Sequence, residues 1–171
     1  LEIMKGLNYD ALELGNHEFD LYPSTLEYVL SQAGFPGSGF PVLCANLDMS
    51  GDPVLSNFVK PYTIKEYNGL KVGIFGLLTE FTNQNSNPSP VVVLPALANA
   101  QAWVDTLKAH NCDLIILLSH LGADYDQLVA SSVSGINIIV GGHSHTFISS
   151  PIQIGSTLIP QAGEFGRNLG K

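Results

Sequence analysis

Apolar and polar positions along the chain switch between two periods, and the switches mark out the elements. Residues 1–8 read as the end of a helix with Gly6 and Asn8 near its stop, and residues 10–14 as a short strand closed by Gly15. Pro23, followed by apolar Leu26, Val29 and Leu30, predicts a helix to about Ala33. A Gly/Pro loop over 34–39 separates it from a strand over 41–45. Residues 62–67 and 70–77 flank Asn68-Gly69, the signature of a type I′ hairpin. A polar loop spans 82–90, and a helix over 95–109 carries Leu97, Trp103, Val104 and Leu107 on its apolar side.

Residues 114–118 and 136–140 are apolar runs of the kind expected in strands buried on both faces, with a short helix over 126–131 between them. Residues 150–169 predict a meander turning at Gly155-Ser156 and Gly163. Strands alternate with helices up to Val140 and then follow one another, which predicts a mixed-sheet α/β fold with no inner domain boundary.

Composition narrows the partners. The 171 residues suffice for one domain, and 45% hydrophobic against 13% charged residues suits a packed core. A net charge of −8 opposes binding of nucleic-acid polymers, although a metal-bound phosphorylated ligand remains compatible with it. No apolar run approaches the ~20 residues of a membrane span. Cys44 and Cys112 lie in apolar stretches and read as buried thiols, with a disulfide as the alternative. No signal peptide opens the chain, and Leu1 to Leu7 resemble a helix already under way.

Four of the five histidines fall at the ends of these apolar stretches. Asn16-His17 follows Gly15, His120 follows residues 114–119, and His143 and His145 follow Gly141-Gly142. Strand C-termini are where α/β proteins hold ligands. If the chain turns helical at Asn16, His17 and Asp20 meet at i,i+3, and the carboxylate orients the imidazole as a general acid. Taken alone, Asn16 would cap that helix and His17 would be a surface residue. On extended backbone His143 and His145 point to one side, while a turning loop would separate them. Imidazole nitrogens and an amide oxygen form a donor set suited to Zn, Mn, Fe or Ni. His110, at a helix end, reads as structural. Arg167, the sole arginine, reads as a structural or interface ion-pair residue. The chain has no Gly-x-Ser-x-Gly elbow and no Walker-type loop.

The motifs Gly15-Asn16-His17-Glu18-Phe19-Asp20, Ser119-His120-Leu121-Gly122 and Gly141-Gly142-His143-Ser144-His145-Thr146 resemble the later motifs of calcineurin-like metallophosphoesterases, in the 5′-nucleotidase and UDP-sugar hydrolase branch. Residues 42–47, 72–77 and 161–170 resemble the same catalytic domain. The resemblance implies a four-layer α/β/β/α sandwich, truncated at the N-terminus, with residues 1–171 as a partial catalytic domain. It implies two divalent ions of the Zn, Mn, Fe or Co class, one held by Asn16, His120 and His143 and the other served by His145. It implies His17 as the catalytic histidine, paired with Asp20, and hydrolysis of nucleoside monophosphates by metal-activated water. Cyclic-nucleotide phosphodiesterase or thiosulfohydrolase chemistry on the same scaffold is the alternative. A periplasmic or extracellular setting is implied as well.

Two departures stand out. The family's early Asp-x-His and Gly-Asp motifs do not occur before Asn16, which predicts that they lie in a segment preceding Leu1. The remaining donors are all neutral, so two dications would be held poorly and the chain could be a catalytically inactive domain. Open apolar strand edges and self-association follow from the shortened start. The family's glycine two residues after the Phe-Asp aspartate is replaced by Tyr22, which places the local loop shape in question.

Overall fold

The computed structural model describes residues 1–37 and 39–170; Ser38, within the predicted loop over 34–39, and Lys171 lie outside the described residues. The chain opens with α1 (Glu2–Gly6), β1 (Leu12–Glu13), a 3-10 turn (Asn16–Phe19) and α2 (Pro23–Gln32). Next come β2 (Val42–Leu43), β3 (Leu47–Asp48), α3 (Leu55–Phe58), β4 (Val59–Lys60) and the hairpin β5 (Tyr62–Tyr67) and β6 (Leu70–Leu78). The second half holds α4 (Thr82–Asn85), β7 (Val92–Val93), α5 (Ala96–Ala109), β8 (Leu114–His120), α6 (Ala123–Ser132), β9 (Ile138–Val140), β10 (Ile152–Ile154) and β11 (Thr157–Ile159).

Four layers result. A six-stranded sheet runs in the order β10-β11-β9-β8-β6-β5, with β6, β8, β9 and β11 parallel and the two outer pairs antiparallel. One face packs on α5 and α6: Phe75, Leu77, Ile115, Leu117 and Ile139 meet Ala96, Ala100, Val104, Leu107 and Val129. The spacing of Ala96, Ala100, Val104 and Leu107 is one stripe of a helix. The other face meets a three-stranded sheet, β1-β2-β4, through Leu43, Val72 and Ile74. That small sheet buries Val42 and Val59 under Leu26 and Leu30 of α2. Val29, placed on the apolar side of α2 by its spacing, is instead exposed.

Local chemistry explains the boundaries. Asn68 and Gly69 have φ of 51° and 86°, the pair of positive angles that a type I′ turn demands. α5 ends at His110, after which Asn111 (φ 57°) lets Asn111 N–H and Cys112 N–H bond back to Lys108 O and Leu107 O. His110 Nε2 also lies 3.2 Å from the Tyr62 hydroxyl, so His110 is a structural residue. Cys44 is buried, Cys112 half-buried, and both are free thiols.

Several expectations need correction. The region 150–169 is a single hairpin plus one bridge between Phe147 and Ala162, because the residues after Pro160 turn away from strand geometry. α6 starts at Ala123, earlier than predicted, because Gly122 at φ 96° turns the chain directly into the helix. α4 forms inside the predicted 82–90 loop. β8 is not buried on both faces. Ile115, Leu117 and Ser119 are buried, whereas Leu114, Ile116 and Leu118 are only half-covered. The small sheet is too narrow to cover them, so they line an open groove of about 400 Å³ with Val72, Ile74 and Ala11.

One carboxyl lies between the sheets. Both Glu13 oxygens are buried without a hydrogen-bond partner among the described residues, and a Cβ at Gly76 would fall on them. Burial pushes the Glu13 carboxyl well above the usual carboxylate range, and burial beside Glu13 raises the Cys44 thiol. A carboxyl whose folded pKa is raised stabilises the fold below its unfolded value of about 4.3, and that stability is lost as pH rises through the folded value. The Glu13→Gln variant is therefore expected to melt progressively higher than wild type as pH rises from 5 to 8. Parallel melting curves across that range would show that the Glu13 carboxyl is ionised alike in the folded and unfolded states and that its folded pKa is not raised.

Candidate functional site

Asn16, His120 and His143 come together where β1, β8 and β9 end. β8 runs through His120, so this histidine is the strand's last residue rather than the first one past it. Its register opposite Leu78 of β6 turns the ring towards β1, as alternation along the strand requires. Asn16 is buried, and its Oδ1 stands 3.0 Å from His120 Nε2 although 104 residues separate them. Gly15 makes this approach feasible, because a Cβ there would meet His120 Cε1 at 2.8 Å and Nε2 at 3.0 Å. Asn16 is thus not the helix cap. Gly15 takes that position, and its N–H donates to Glu18 Oε2 at 2.7 Å. The Gly-x-x-Glu spacing is the sequence signal that marks this cap.

The 3-10 turn carries His17 and Asp20 on one side, with His17 Nδ1 donating to Asp20 Oδ2 at 2.7 Å. The pair is exposed. His17, and then Ser86 Oγ at 3.0 Å from Asp20 Oδ1, hold the Asp20 carboxyl below the usual range. The carboxylate therefore fixes the Nδ1–H tautomer and leaves Nε2 facing solvent.

The His143 ring centroid is 5.0 Å from that of His120. His145 is turned elsewhere: its Nδ1 is 2.9 Å from Glu164 Oε2 and its ring packs edge-on at 5.5 Å against Phe165. Both residues have positive φ, 71° and 57°, so the loop is not extended and alternation does not place the two rings on one side. Burial, followed by the neighbouring His143, His17 and His145, pushes His120 down to about 4. Burial, followed by His145 and His17, lowers His143. These rings are neutral at physiological pH and keep a lone pair free.

Among the described residues, no three His, Cys, Asp or Glu side chains form a metal-holding group. The convergent donors are an amide oxygen and imidazoles. Their chemistry fits a divalent transition metal, because the rings are held neutral and a 3.0 Å gap between two donors matches adjacent ligands on bonds of ~2.1 Å. Glu164, which lies in the 161–170 stretch but has no site role assigned from sequence, is the outer partner of His145 and also pairs with Arg167 at 3.0 Å, so Arg167 forms an exposed ion pair. That link is made across 19 residues by tertiary folding, and no local spacing announces it.

No family model matches the chain. Among the curated relatives that match it are the trifunctional nucleotide phosphoesterase of Bacillus subtilis, at 34% identity over all of this chain and 14% of the relative, and the 5′-nucleotidase of Diplobatis ommata, at 37% identity over 85% of this chain and 25% of the relative. The solved structure of the 5′-nucleotidase precursor from Thermus thermophilus superposes with a TM-score of 0.88 at 37% identity, over 97% of this chain and 35% of that one. The fold is that of the calcineurin-like phosphoesterases. Within it, the chain is similar in sequence to 5′-nucleotidases, and it spans about a quarter or less of the length of the curated relatives named here.

Tyr22 occupies the position where the family motif has glycine, and the backbone there keeps a glycine conformation, φ 69° and ψ 157°. This region is accessible at low cost to glycine alone, and a side chain in it costs ~1–3 kcal/mol. Tyr22→Gly is expected to raise stability by ~1 kcal/mol, measured by urea denaturation, after allowance for glycine's larger unfolded-state entropy. A destabilised variant would mean that contacts of the tyrosine ring outweigh the strain.

Proposed function

We propose that the chain forms part of the catalytic domain of a metal-dependent phosphoester hydrolase acting on nucleoside monophosphates, in a secreted or periplasmic setting. The observation that carries this reading is the meeting of Asn16 Oδ1, His120 and His143 beside the His17–Asp20 pair, at the ends of three strands. The printed names of the relatives, 5′-nucleotidase and nucleotide phosphoesterase, support the substrate class.

Asn16, His120 and His143 would hold one divalent ion, and His145 would serve a second. Such ions, when bound, polarise a phosphoryl oxygen and lower the pKa of water. The protein's own residues do the rest. Burial keeps His120 neutral and therefore available as a donor. Glu164 holds the Nδ1 edge of His145 and leaves Nε2 as the nitrogen available to an ion. Asp20 holds the Nδ1 edge of His17, so that Nε2 is the atom available to a substrate. From there Nε2, when it carries a proton, donates a hydrogen bond to the phosphoryl oxygens or that proton to the leaving ribose oxygen.

Hydrolysis by the full-length protein in the presence of Mn²⁺, Zn²⁺ or Co²⁺ tests the reading, followed as phosphate released from AMP, nucleoside monophosphate formed from 2′,3′-cyclic AMP and sulfate released from thiosulfate-bearing substrates. Release of phosphate from AMP is the expected result, and absence of turnover with every metal would make this an inactive domain. In the same protein, His17→Ala is expected to lower kcat by ~100-fold or more with metal content unchanged. Turnover at the wild-type rate would remove His17 from the reaction.

A further inference from the structure

The loop over 141–146 faces a backbone problem. Its two histidines, His143 and His145, both sit at left-handed φ, a conformation that costs a side chain ~1 kcal/mol or more each. Strain of this kind persists only where surrounding contacts over-determine the backbone. The loop's own bonds, Ser144 N–H to Gly142 O and Ser144 Oγ to Thr146 Oγ1, each at 2.9 Å, leave its other inward polar groups to be met from outside.

Backbone bonds tie the loop's two ends, Gly141 N–H to Pro160 O at 2.9 Å and Gly163 N–H to Thr146 O at 3.1 Å, and one side chain meets groups between them. Gln161 follows β11 and is 3% exposed. Its Oε1 accepts from the Thr146 backbone N–H and from Ser144 Oγ, the latter at 3.0 Å. Its Nε2 donates to Gly142 O at 2.9 Å. The amide therefore grips the loop before His143, between the two histidines and after His145. Ser144 Oγ passes the constraint on, since it also accepts the Ala123 N–H at the start of α6, at 3.0 Å. Gly141 leaves room for this arrangement, because a Cβ there would press Gln161 Nε2 at 2.9 Å and Asp126 Oδ2 at 2.6 Å.

We propose that Gln161 is a positioning residue for the candidate metal centre: its carboxamide imposes the left-handed turns that aim His143 at His120 and His145 at Glu164. Glutamine suits the task because it offers an acceptor to two donors and a donor to one carbonyl on a single planar group. A hydrocarbon side chain of the same length leaves Thr146 N–H and Gly142 O unpaired. A glutamate keeps the two accepted bonds and sets a carboxylate against Gly142 O.

The proposal rests on the metal-centre reading above, so the test separates the two. Gln161→Leu and Gln161→Glu are made in the full-length protein. In metal-free protein, amide hydrogen exchange over residues 141–147 is expected to quicken by about tenfold or more in Gln161→Leu, with exchange in β6 and β8 unchanged. Unchanged exchange in this loop overturns the proposal whatever the metal does. With Mn²⁺ or Zn²⁺ added, Gln161→Leu is expected to bind about 10- to 100-fold more weakly per folded molecule, the usual effect of removing an outer-shell partner. A loosened loop with wild-type metal affinity also overturns it, since Gln161 would then support the fold without aiming the ligands. If Gln161→Leu fails to fold, Gln161→Glu is held to the same two readouts, with a smaller loss expected. A wild-type protein that binds no divalent metal refutes the metal-centre reading, and loop exchange then decides separately whether Gln161 sets the loop.

Discussion

The close approach of the short sheet to the face of the long one is the constraint on which the rest of the molecule depends. At Gly15 and Gly76 there is no room for a side chain, because His120 and the Glu13 carboxyl occupy that space. The first of these contacts puts Asn16 against His120 and creates the site. The second places a carboxyl among buried groups between the sheets. A larger separation would admit ordinary side chains at both positions, and the amide oxygen and imidazole that now stand 3.0 Å apart would no longer meet.

Burial does different work on the two sides of the long sheet. Against α5 and α6 it is conventional: interdigitated Leu, Ile, Val and Phe side chains that fix where β8 and β9 end. Between the sheets it is electrostatic as well. It keeps His120 neutral and therefore able to bind a cation, and it disfavours the charged form of Glu13. Outside this layer the charged partners are more open to solvent, with Asp20 on His17 and Glu164 on His145, where they orient rings without confronting a dry interior. The site thus has a neutral floor and an anionic rim.

Much of this is legible from periodicity and turn chemistry. The hairpin at Asn68-Gly69, the helix ending at His110 and the parallel strands after residues 70 and 114 follow from local rules. The i,i+3 meeting of His17 and Asp20 follows as well. The face of β8 that stays half-covered is not legible, because a run of leucine and isoleucine looks the same whether one face is covered or two. β3, β4 and β7 leave no mark in the pattern, since each has two residues, too few to show a period. The separate orientations of His143 and His145 depend on left-handed angles that histidine does not advertise.

The sequence by itself determined the order of the longer elements, the mixed sheet and the set of chemically capable side chains, because these depend on spacing and composition within short stretches. Tertiary structure alone decided which of those side chains meet. Asn16 reaches His120 across 104 residues, Glu164 reaches His145 across 19, and Gln161 reaches Gly142 across 19. Such contacts arise from how two sheets pack and how one loop is held, and these are properties of the whole chain.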